Sequence, residues 1–322
     1  MKRIIALITT LLILAGLFIG CGGSGTASEK STNAAGQGYP MKVTDAGSFE
    51  MTIEKQPSKI VSLTLGTDEM LLGLIDSSRI KALTNYADDE GISNVAKEAK
   101  NVKDRVTWDS VEKIIELQPD LVFADTWADP KAVKQLRDAK ITVYVFKTPS
   151  GIEEQKSAVT EIAHIVGADS EGKKLTDWMD EKLKAVDDRL KALKPEQKLK
   201  VMDYGEMGSS GKGTNFDSIV TRAGLINVVS NAGMDGWPKL SKEKMIEFNP
   251  DVIILPSWYY DKKNTLQGMI DTFKNDKSLA GIKAVQNNRL VSVPNPHISA
   301  ISQYVVLAVE DVAKAAYPEL FK

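Results

Sequence analysis

Residues 241–251 read SKEKMIEFNPD, and residues 110–120 read SVEKIIELQPD, which is nearly the same sequence 131 positions earlier. Each copy runs on into an apolar stretch, LVFADTW after the first and VIILPSW after the second. A short helical pattern, a proline and an apolar run together predict a helix followed by a buried β-strand. Because the pair occurs only once, we interpret it as the duplication of a lobe and not as a solenoid array.

Short β-rich runs alternate with helical segments around both copies. The strand candidates of the first half include KIVSLTL, KALTNY and ITVYVF, and the helical segments between them include TDEMLLGLI and DPKAVKQLRDA. The second half repeats this alternation and ends in a helix predicted over residues 299–316. Continuous apolar strands separated by helices are typical of βα units on a largely parallel sheet. The sequence therefore predicts an α/β fold in two halves.

One segment between the halves breaks the alternation. Residues 170–194 keep a helical period for about 25 residues until Pro195, which is roughly 37 Å of helix. We expect this helix to join an N-terminal lobe (41–168) to a C-terminal lobe (196–322), with the helix and its flanks at 169–195. A coiled-coil arm is the alternative, but three heptads support it weakly. The predicted buried stripe consists of Leu175, Met179, Leu183, Val186, Leu190 and Leu193.

The N-terminus has the pattern of an export signal. Lys2 and Arg3 precede an uncharged apolar stretch that ends at Cys21, so residues 1–20 are predicted to be a signal peptide. The sequence LFIGC resembles a lipobox, which makes Cys21 the predicted lipidation site, although Phe18 stands where leucine is usual. Residues 21–40 are rich in Gly, Ser, Ala and Thr and are predicted to be a flexible tether. The protein is then anchored on the extracytoplasmic face of the cell membrane; an uncleaved N-terminal helix is the alternative.

Composition and motifs exclude several classes of protein. The chain has 41 basic and 43 acidic residues, so it lacks the basic excess of a nucleic-acid-binding protein. Its only cysteine is Cys21, which leaves no intrachain disulfide. The sequence contains no nucleophile elbow and no H-E-x-x-H motif, and GEMGSSGKGT does not have the spacing of a P-loop. We therefore predict a protein that is not an enzyme and has no cofactor of its own.

The duplicated unit places a glutamate at the same position in each copy. Ser110 and Ser241 are predicted to cap the two helices, so Glu112 and Glu243 fall at the second helical residue. Pro119 and Pro250 are predicted to end these helices, and Asp120 and Asp251 to open the strands that follow. A carboxylate near a helix N-terminus stabilises the helix even without a binding role, because it interacts favourably with the helix dipole. Equivalent units would also present both carboxylates on the same face of the molecule.

The chain resembles a known family, the substrate-binding proteins of ABC importers for iron–siderophore complexes, haem and cobalamin (class III periplasmic binding proteins). The resemblance extends over residues 41–322 and rests on VTDAGSFEMTIEKQPSKIVSL, TDEMLLGL, VEKIIELQPDLVF, FDSIVTRAGLINV and WPKLSKEKMIEFNPDVIIL, in this order. It implies two Rossmann-like lobes with central β-sheets flanked by helices, bridged by a single long rigid α-helix. It also implies a ligand cleft between the lobes, and docking of Glu112 and Glu243 to arginines of the permease.

The ligand-binding residues are expected at the carboxyl ends of the strands, where open α/β sheets bind ligands. Aromatic side chains dominate these positions, and flat rings suit a macrocycle or an aromatic chelate. We expect a monomer that binds a chelate carrying its own iron or cobalt. An iron–siderophore complex is slightly favoured, with cobalamin and haem as alternatives and a ligand-sensing lipoprotein without transport as a more distant one. The predicted ligand-binding residues are Tyr86, Trp108, Trp127, Trp237, Trp258, Tyr259 and His297.

Two features of the sequence bear on the choice of ligand. A protein that binds free Zn²⁺ or Mn²⁺ would offer three or more His, Asp or Glu ligands, and the two histidines, His164 and His297, are far apart in the chain. We therefore predict no metal site. Trp237 precedes Glu243 by six residues, as in the cobalamin-binding members, whereas Trp108 precedes Glu112 by only four. The first half thus departs from the cobalamin pattern.

Overall fold

The computed structural model describes residues 38–259 and 264–322. The predicted signal peptide, the lipidation site Cys21 and most of the predicted tether lie outside the described residues. Within the described ranges, no helix combines the length and the apolar character that crossing a membrane requires. The described residues cluster together as one unit. The predicted lobe boundaries therefore stay a prediction.

The elements of the first half follow the predicted alternation. The strands are β1 (Met41–Thr44), β2 (Glu50–Ile53), β3 (Ile60–Ser62), β4 (Ile80–Thr84), β5 (Asp104–Val106), β6 (Leu121–Asp125) and β7 (Val143–Phe146). The helices are α1 (Leu65–Leu74), α2 (Val111–Glu116), α3 (Pro130–Asp138), α4 (Ile152–Ile165) and the long α5 (Asp169–Leu190).

The second half has shorter strands and more short helices. Its strands are β8 (Lys200–Asp203), β9 (Ile226–Asn227), β10 (Val252–Ile254) and β11 (Leu290–Val291). Its helices are α6 (Asn215–Arg222), α7 (Val228–Asn231), α8 (Lys242–Phe248), α9 (Leu266–Asn275), α10 (Lys283–Gln286), α11 (Asn295–Ile298) and α12 (Val305–Ala316).

The strands form two parallel sheets and one hairpin. The first sheet has the order β5-β4-β3-β6-β7 and the second the order β11-β10-β8-β9, and every pairing within them is parallel. The strands β1 and β2 form an antiparallel hairpin at the start. Helices pack on these sheets around apolar strands, several of which are completely buried. The predicted α/β fold with largely parallel sheets is confirmed.

The two copies of the duplicated unit occupy equivalent places in the two sheets. The strand after the first copy, β6, pairs with β3, and the strand after the second copy, β10, pairs with β8. Asp120 N donates to Lys59 O at 3.0 Å, and Asp251 N donates to Lys200 O at 2.8 Å. Each aspartate carboxylate in turn accepts from the lysine N–H, at 2.9 Å in both sheets. The two copies of the duplicated unit therefore share the same hydrogen-bond register to the neighbouring strand, as well as a similar sequence.

The ends of the duplicated helices differ from the sequence-based expectation in two respects. The Ser241 hydroxyl caps α8 by accepting from Lys244 N, but Ser110 does not cap α2. Its hydroxyl instead accepts from Thr107 N, at 3.1 Å, because the Ser110 backbone is not extended as a capping residue's normally is. Both helices also end before their prolines, since Gln118 (φ 48°) and Asn249 (φ 44°) adopt the left-handed conformation that stops a helix.

The long helix is present and ends four residues earlier than predicted. Met179, Leu183 and Val186 are buried, and the other three residues of the predicted stripe are partly buried against the same core. The helix packs on α1 and α4 from the first half and on α12 from the second. Trp178 lies edge-to-face on Tyr304, with ring centroids 6.2 Å apart. The action of α5 as a rigid bridge stays a prediction.

The last helix begins at Val305, not at residue 299 as predicted, because the preceding residues bind α1 of the first half. The Ser302 hydroxyl donates to the Glu69 carboxylate, and Gln303 Nε2 donates to Glu69 O at 2.9 Å. Asn94 Nδ2 donates to the same carboxylate at 2.9 Å. Burial raises the pKa of Glu69, and the hydrogen bonds from Ser302 and Asn94 oppose the rise. A buried acid is thus hydrogen-bonded to both halves of the chain.

The buried carboxyl group of the neighbouring residue Asp68 is expected to make the stability of the fold depend on pH. Its carboxylate is fully buried and accepts from the N–H of Thr84 at 3.1 Å and from the Thr84 hydroxyl. Burial raises the pKa of Asp68 to about 7. Between about pH 4 and pH 7 the folded protein therefore keeps a proton that the unfolded chain has released, so stability falls as the pH rises through this window.

We expect the free energy of unfolding to fall by roughly 2 kcal/mol between pH 5 and pH 8 through Asp68. The substitution Asp68→Asn should remove most of this dependence, because the amide keeps its shape and does not titrate. Urea denaturation of both proteins across this pH range measures the difference. An equally steep fall in the variant would contradict the assignment. A smaller residual slope is expected in the variant, because burial also raises the pKa of Asp203, to about 6, and the pKa values of Glu69 and Asp125.

Candidate functional site

A pocket of about 320 Å³ lies at the carboxyl ends of the first sheet. All five strands contribute to it, either through their last residues or through the loops that follow, and Ile301 of the second half also lines it. This is the edge at which open parallel sheets bind ligands. The lining residues are Leu63, Thr64, Leu65, Gly66, Tyr86, Trp108, Asp125, Trp127, Ala128, Phe146, Thr148 and Ile301.

Three of the predicted ligand-binding residues meet in this pocket. Tyr86 follows β4, Trp108 follows β5 and Trp127 follows β6, so each ring comes from a different strand end. The rings are 49%, 44% and 67% exposed, respectively. Large aromatic surfaces left open to water beside a concave pocket mark a place where another molecule can bind.

Asp125 is the charged member of the lining and was missed by the sequence-based prediction. Its carboxylate accepts from Trp127 N at 3.0 Å, which fixes the turn that presents the Trp127 ring. Burial raises the pKa of Asp125, and hydrogen bonds from Trp127 and Thr148 oppose the rise. The sequence could have indicated Asp125 as a site residue, because it is the last residue of the predicted strand β6. The strand-end rule that selected the aromatic residues applies to it equally.

The predicted aromatic residues of the second half do not line this pocket. A methyl group on Gly91 would lie 2.3 Å from Cδ1 of Trp258, so the Trp258 indole rests directly on the Gly91 backbone of the first half. Trp237 is 45% exposed. Its carbonyl lies close to Gly208, whose φ of 125° would be strained for a residue with a side chain. Tyr259 is buried, and its hydroxyl has no hydrogen-bond partner among the described residues.

The histidines are both paired with carboxylates outside the pocket. His297 Nδ1 lies 2.5 Å from Asp311 Oδ2 and connects α11 to α12. His164 Nδ1 lies 3.0 Å from Asp169 Oδ1 on the surface. Neither residue is part of the pocket lining. Across residues 38–259 and 264–322 there is no cluster of three or more His, Cys, Asp or Glu side chains suited to a metal ion.

Arg105 and Arg222 are arginines that could pair with an anionic ligand, but both are occupied by other partners. Arg105 forms a two-point contact with the Asp88 carboxylate, with both N–O distances at 2.7 Å. Arg222 forms a similar two-point contact with Asp187 of the long helix. The described lining of the pocket contains no lysine or arginine. The pocket therefore combines aromatic walls with a carboxylate and, in the described part, no cation.

Glu112 and Glu243 are exposed at the second residue of α2 and of α8, as predicted. Its own backbone N–H and the Ser241 side chain hold the pKa of Glu243 below its usual range. Among the described residues, neither carboxylate has an ion-pair partner. The nearby lysines point elsewhere: Lys113 donates to Arg105 O at 2.7 Å, and Lys242 pairs with Asp276. Both carboxylates remain available to another molecule.

Comparison with known proteins adds four findings. Residues 60–296 match the family model described as periplasmic binding protein. An uncharacterized ABC transporter substrate-binding lipoprotein of Bacillus subtilis is 26% identical over the full length of both chains. A cobalamin-binding protein of Halobacterium salinarum is 21% identical over 67% of this chain and 58% of its own. The crystal structure of a possible iron-binding, periplasmic solute-binding protein from Staphylococcus epidermidis superposes with a TM-score of 0.71 at 21% identity, over 82% of this chain and all of the other.

Proposed function

The chain belongs to the periplasmic binding protein family, and from this premise we propose that it captures a metal chelate in the pocket of the first sheet. It works as the substrate-binding component of an ABC importer and is not an enzyme. The proposed chelate is of the iron–siderophore type, bound in the cleft between the halves and delivered to a membrane permease. The metal arrives with the chelate, so the protein needs no metal ligands of its own.

The convergence of Tyr86, Trp108 and Trp127 carries this proposal. Their rings offer flat apolar area at the mouth of a pocket, and ordering such rings costs little conformational entropy. Trp258 and Trp237 are proposed to complete the site from the second half. The contact of Trp258 with Gly91 supports this role, because it brings the second half against the loop that follows Tyr86. The roles of Tyr259 and His297 in ligand binding remain predictions.

A corrinoid is the second candidate ligand, and the charge of the pocket favours it. Anionic siderophores need cationic partners, whereas the described lining offers one carboxylate and no lysine or arginine. An uncharged or cationic chelate with a donor group could bond to Asp125 and stack on the three rings. The relative from Halobacterium salinarum that is named for cobalamin supports this candidate. Haem carries carboxylates and fits the charge of the pocket less well.

Delivery requires a docking surface and a location outside the cytoplasmic membrane. Glu112 and Glu243 are proposed to pair with arginines of the permease, since both are exposed and free of ion pairs among the described residues. Cys21 is proposed to carry the lipid that holds the protein on the extracytoplasmic face. The full-length similarity to a Bacillus subtilis chain named as a lipoprotein supports this anchor. The working form is proposed to be a monomer.

A titration of intrinsic tryptophan fluorescence tests the proposed function. The full chain should be titrated with ferric hydroxamate and ferric catecholate siderophores, cyanocobalamin and haemin. We expect one class of compound to quench the fluorescence, because two tryptophans flank the pocket. The Kd of that compound should lie below about 1 µM. A Trp178→Phe variant should be quenched to the same degree, since Trp178 packs on Tyr304 away from the pocket. No response to any of these compounds would refute the metal-chelate proposal.

A further inference from the structure

Two exposed isoleucines occupy the same position in the two copies of the duplicated unit. Ile115 of α2 is 39% exposed and Ile246 of α8 is 41% exposed. The residue before each of them, Ile114 or Met245, is buried at 0% or 3% exposure and anchors its helix to the core. Helix packing is therefore satisfied without the two isoleucines. Single exposed apolar residues are common, but here the same residue type is exposed at equivalent positions.

Each isoleucine lies beside a proposed docking carboxylate. Ile115 follows Glu112 by three residues, and Ile246 follows Glu243 by three, so each pair shares one face of its helix. The equivalence is structural, because the strands after the two helices have the same hydrogen-bond register to β3 and β8. Each copy thus presents one carboxylate and one apolar side chain as a unit. We name these two units the Glu–Ile pairs.

The contacts around the Glu–Ile pairs limit what could bind them. Neither isoleucine lines the ligand pocket, so the chelate does not account for their exposure. A second copy of this chain seated on the same surface would bring carboxylates against carboxylates, which is unfavourable. A partner with a cationic group next to an apolar depression matches both members of each pair. A partner with two equivalent halves matches the duplication.

We propose that Ile115 and Ile246 are apolar contacts of the permease-docking surface, each inserting beside its glutamate into an apolar depression on one half of the permease. This inference rests on the proposed docking of Glu112 and Glu243 and extends it to the chemistry of the partner. The carboxylates then guide the encounter, while the isoleucines slow dissociation by excluding water around the ion pairs. The permease should accordingly offer an arginine and a neighbouring apolar depression twice.

The affinity of the full chain for its importer tests the inference. The probe is the permease–ATPase complex of the same importer, purified into lipid nanodiscs, and binding is followed by biolayer interferometry. For the Ile115→Ser, Ile246→Ser double variant we expect a Kd raised about tenfold or more, mainly through faster dissociation. The salt dependence of binding should stay unchanged, because no charge is removed. The Ile115→Val, Ile246→Val variant should keep most of the affinity.

Two control variants separate the outcomes. Phe49→Ser removes an apolar side chain of similar exposure, 46%, from the β1–β2 turn and should leave the affinity unchanged. If the serine variant binds within twofold of the parent while Glu112→Lys, Glu243→Lys does not bind, the role of the isoleucines is refuted and the docking function stands. If the lysine variant also binds normally, the docking function itself fails. Weaker binding that comes with a lower Tm would also overturn the inference, since it would indicate a structural role.

Discussion

The Glu112→Lys, Glu243→Lys double variant is expected to abolish ligand uptake while leaving ligand affinity unchanged. Both carboxylates are exposed, and among the described residues neither has an ion-pair partner within the chain. Reversal would place two cations against the proposed arginines of the permease, and like charges at an interface cost several kcal/mol. We expect uptake to fall at least 100-fold in cells that depend on this importer, with each single variant intermediate.

The matched control for this variant changes the charge elsewhere by the same amount. Glu181 and Glu196 are exposed and lie on and just after the long helix, so Glu181→Lys with Glu196→Lys alters the net charge equally. This control should transport normally. Fluorescence titration verifies that both variants still bind the ligand. Normal uptake by the Glu112→Lys, Glu243→Lys variant, or loss of its ligand binding, would contradict a docking role.

The Trp108→Ala, Trp127→Ala double variant is expected to weaken ligand binding by a factor of 100 or more. The two rings are 44% and 67% exposed beside the pocket, and a chelate stacked on them would bury much of that surface. Losing two buried aromatic contacts typically costs more than about 2.7 kcal/mol, the equivalent of a hundredfold. Isothermal titration calorimetry suits the measurement, because the variant lacks the fluorophores of the pocket.

Conservative changes serve as the control for the pocket. Trp108→Phe with Trp127→Phe keeps an aromatic face at both positions and should recover most of the affinity. Neither ring is buried in the core, so the alanine variant should keep the parent Tm within a few degrees. Unchanged affinity in the alanine variant would place the ligand away from this pocket. Docking to the permease should be the same in all of these variants.

Much of the fold was predictable because it depends on local patterns. The period of the apolar residues predicted the strands, the helices and the long helix, and the duplicated unit predicted that Glu112 and Glu243 lie at the second helical residue. Errors arose where a non-local contact or a single backbone angle intervened. The last helix starts late because Ser302 and Gln303 bind Glu69, which is more than 230 residues earlier in the chain. Ser110 fails to cap because its hydroxyl turns to Thr107.

The candidate site was predictable only in part. The strand-end rule selected Tyr86, Trp108 and Trp127, and the structure brings these three together. The same rule, applied to aromatic residues alone, passed over Asp125 and Thr148. It also could not tell which of the selected rings line the same pocket. Trp258 rests on Gly91, and Tyr259 is buried, although both follow a strand as Trp127 does.

By itself, the sequence determined the order of the βα units, the long helix, the family and the matched positions of the two glutamates. The elements and the glutamate positions follow from the spacing of neighbouring residues and from the match between two copies of one motif. The family follows from the resemblance of the sequence to other members, which the family match over residues 60–296 confirms. Only the tertiary structure decided which strand ends share a pocket, which charged groups are already paired and which isoleucines stay exposed. Those properties depend on contacts between residues far apart in the chain, which form only when the parallel strands align and the two halves meet.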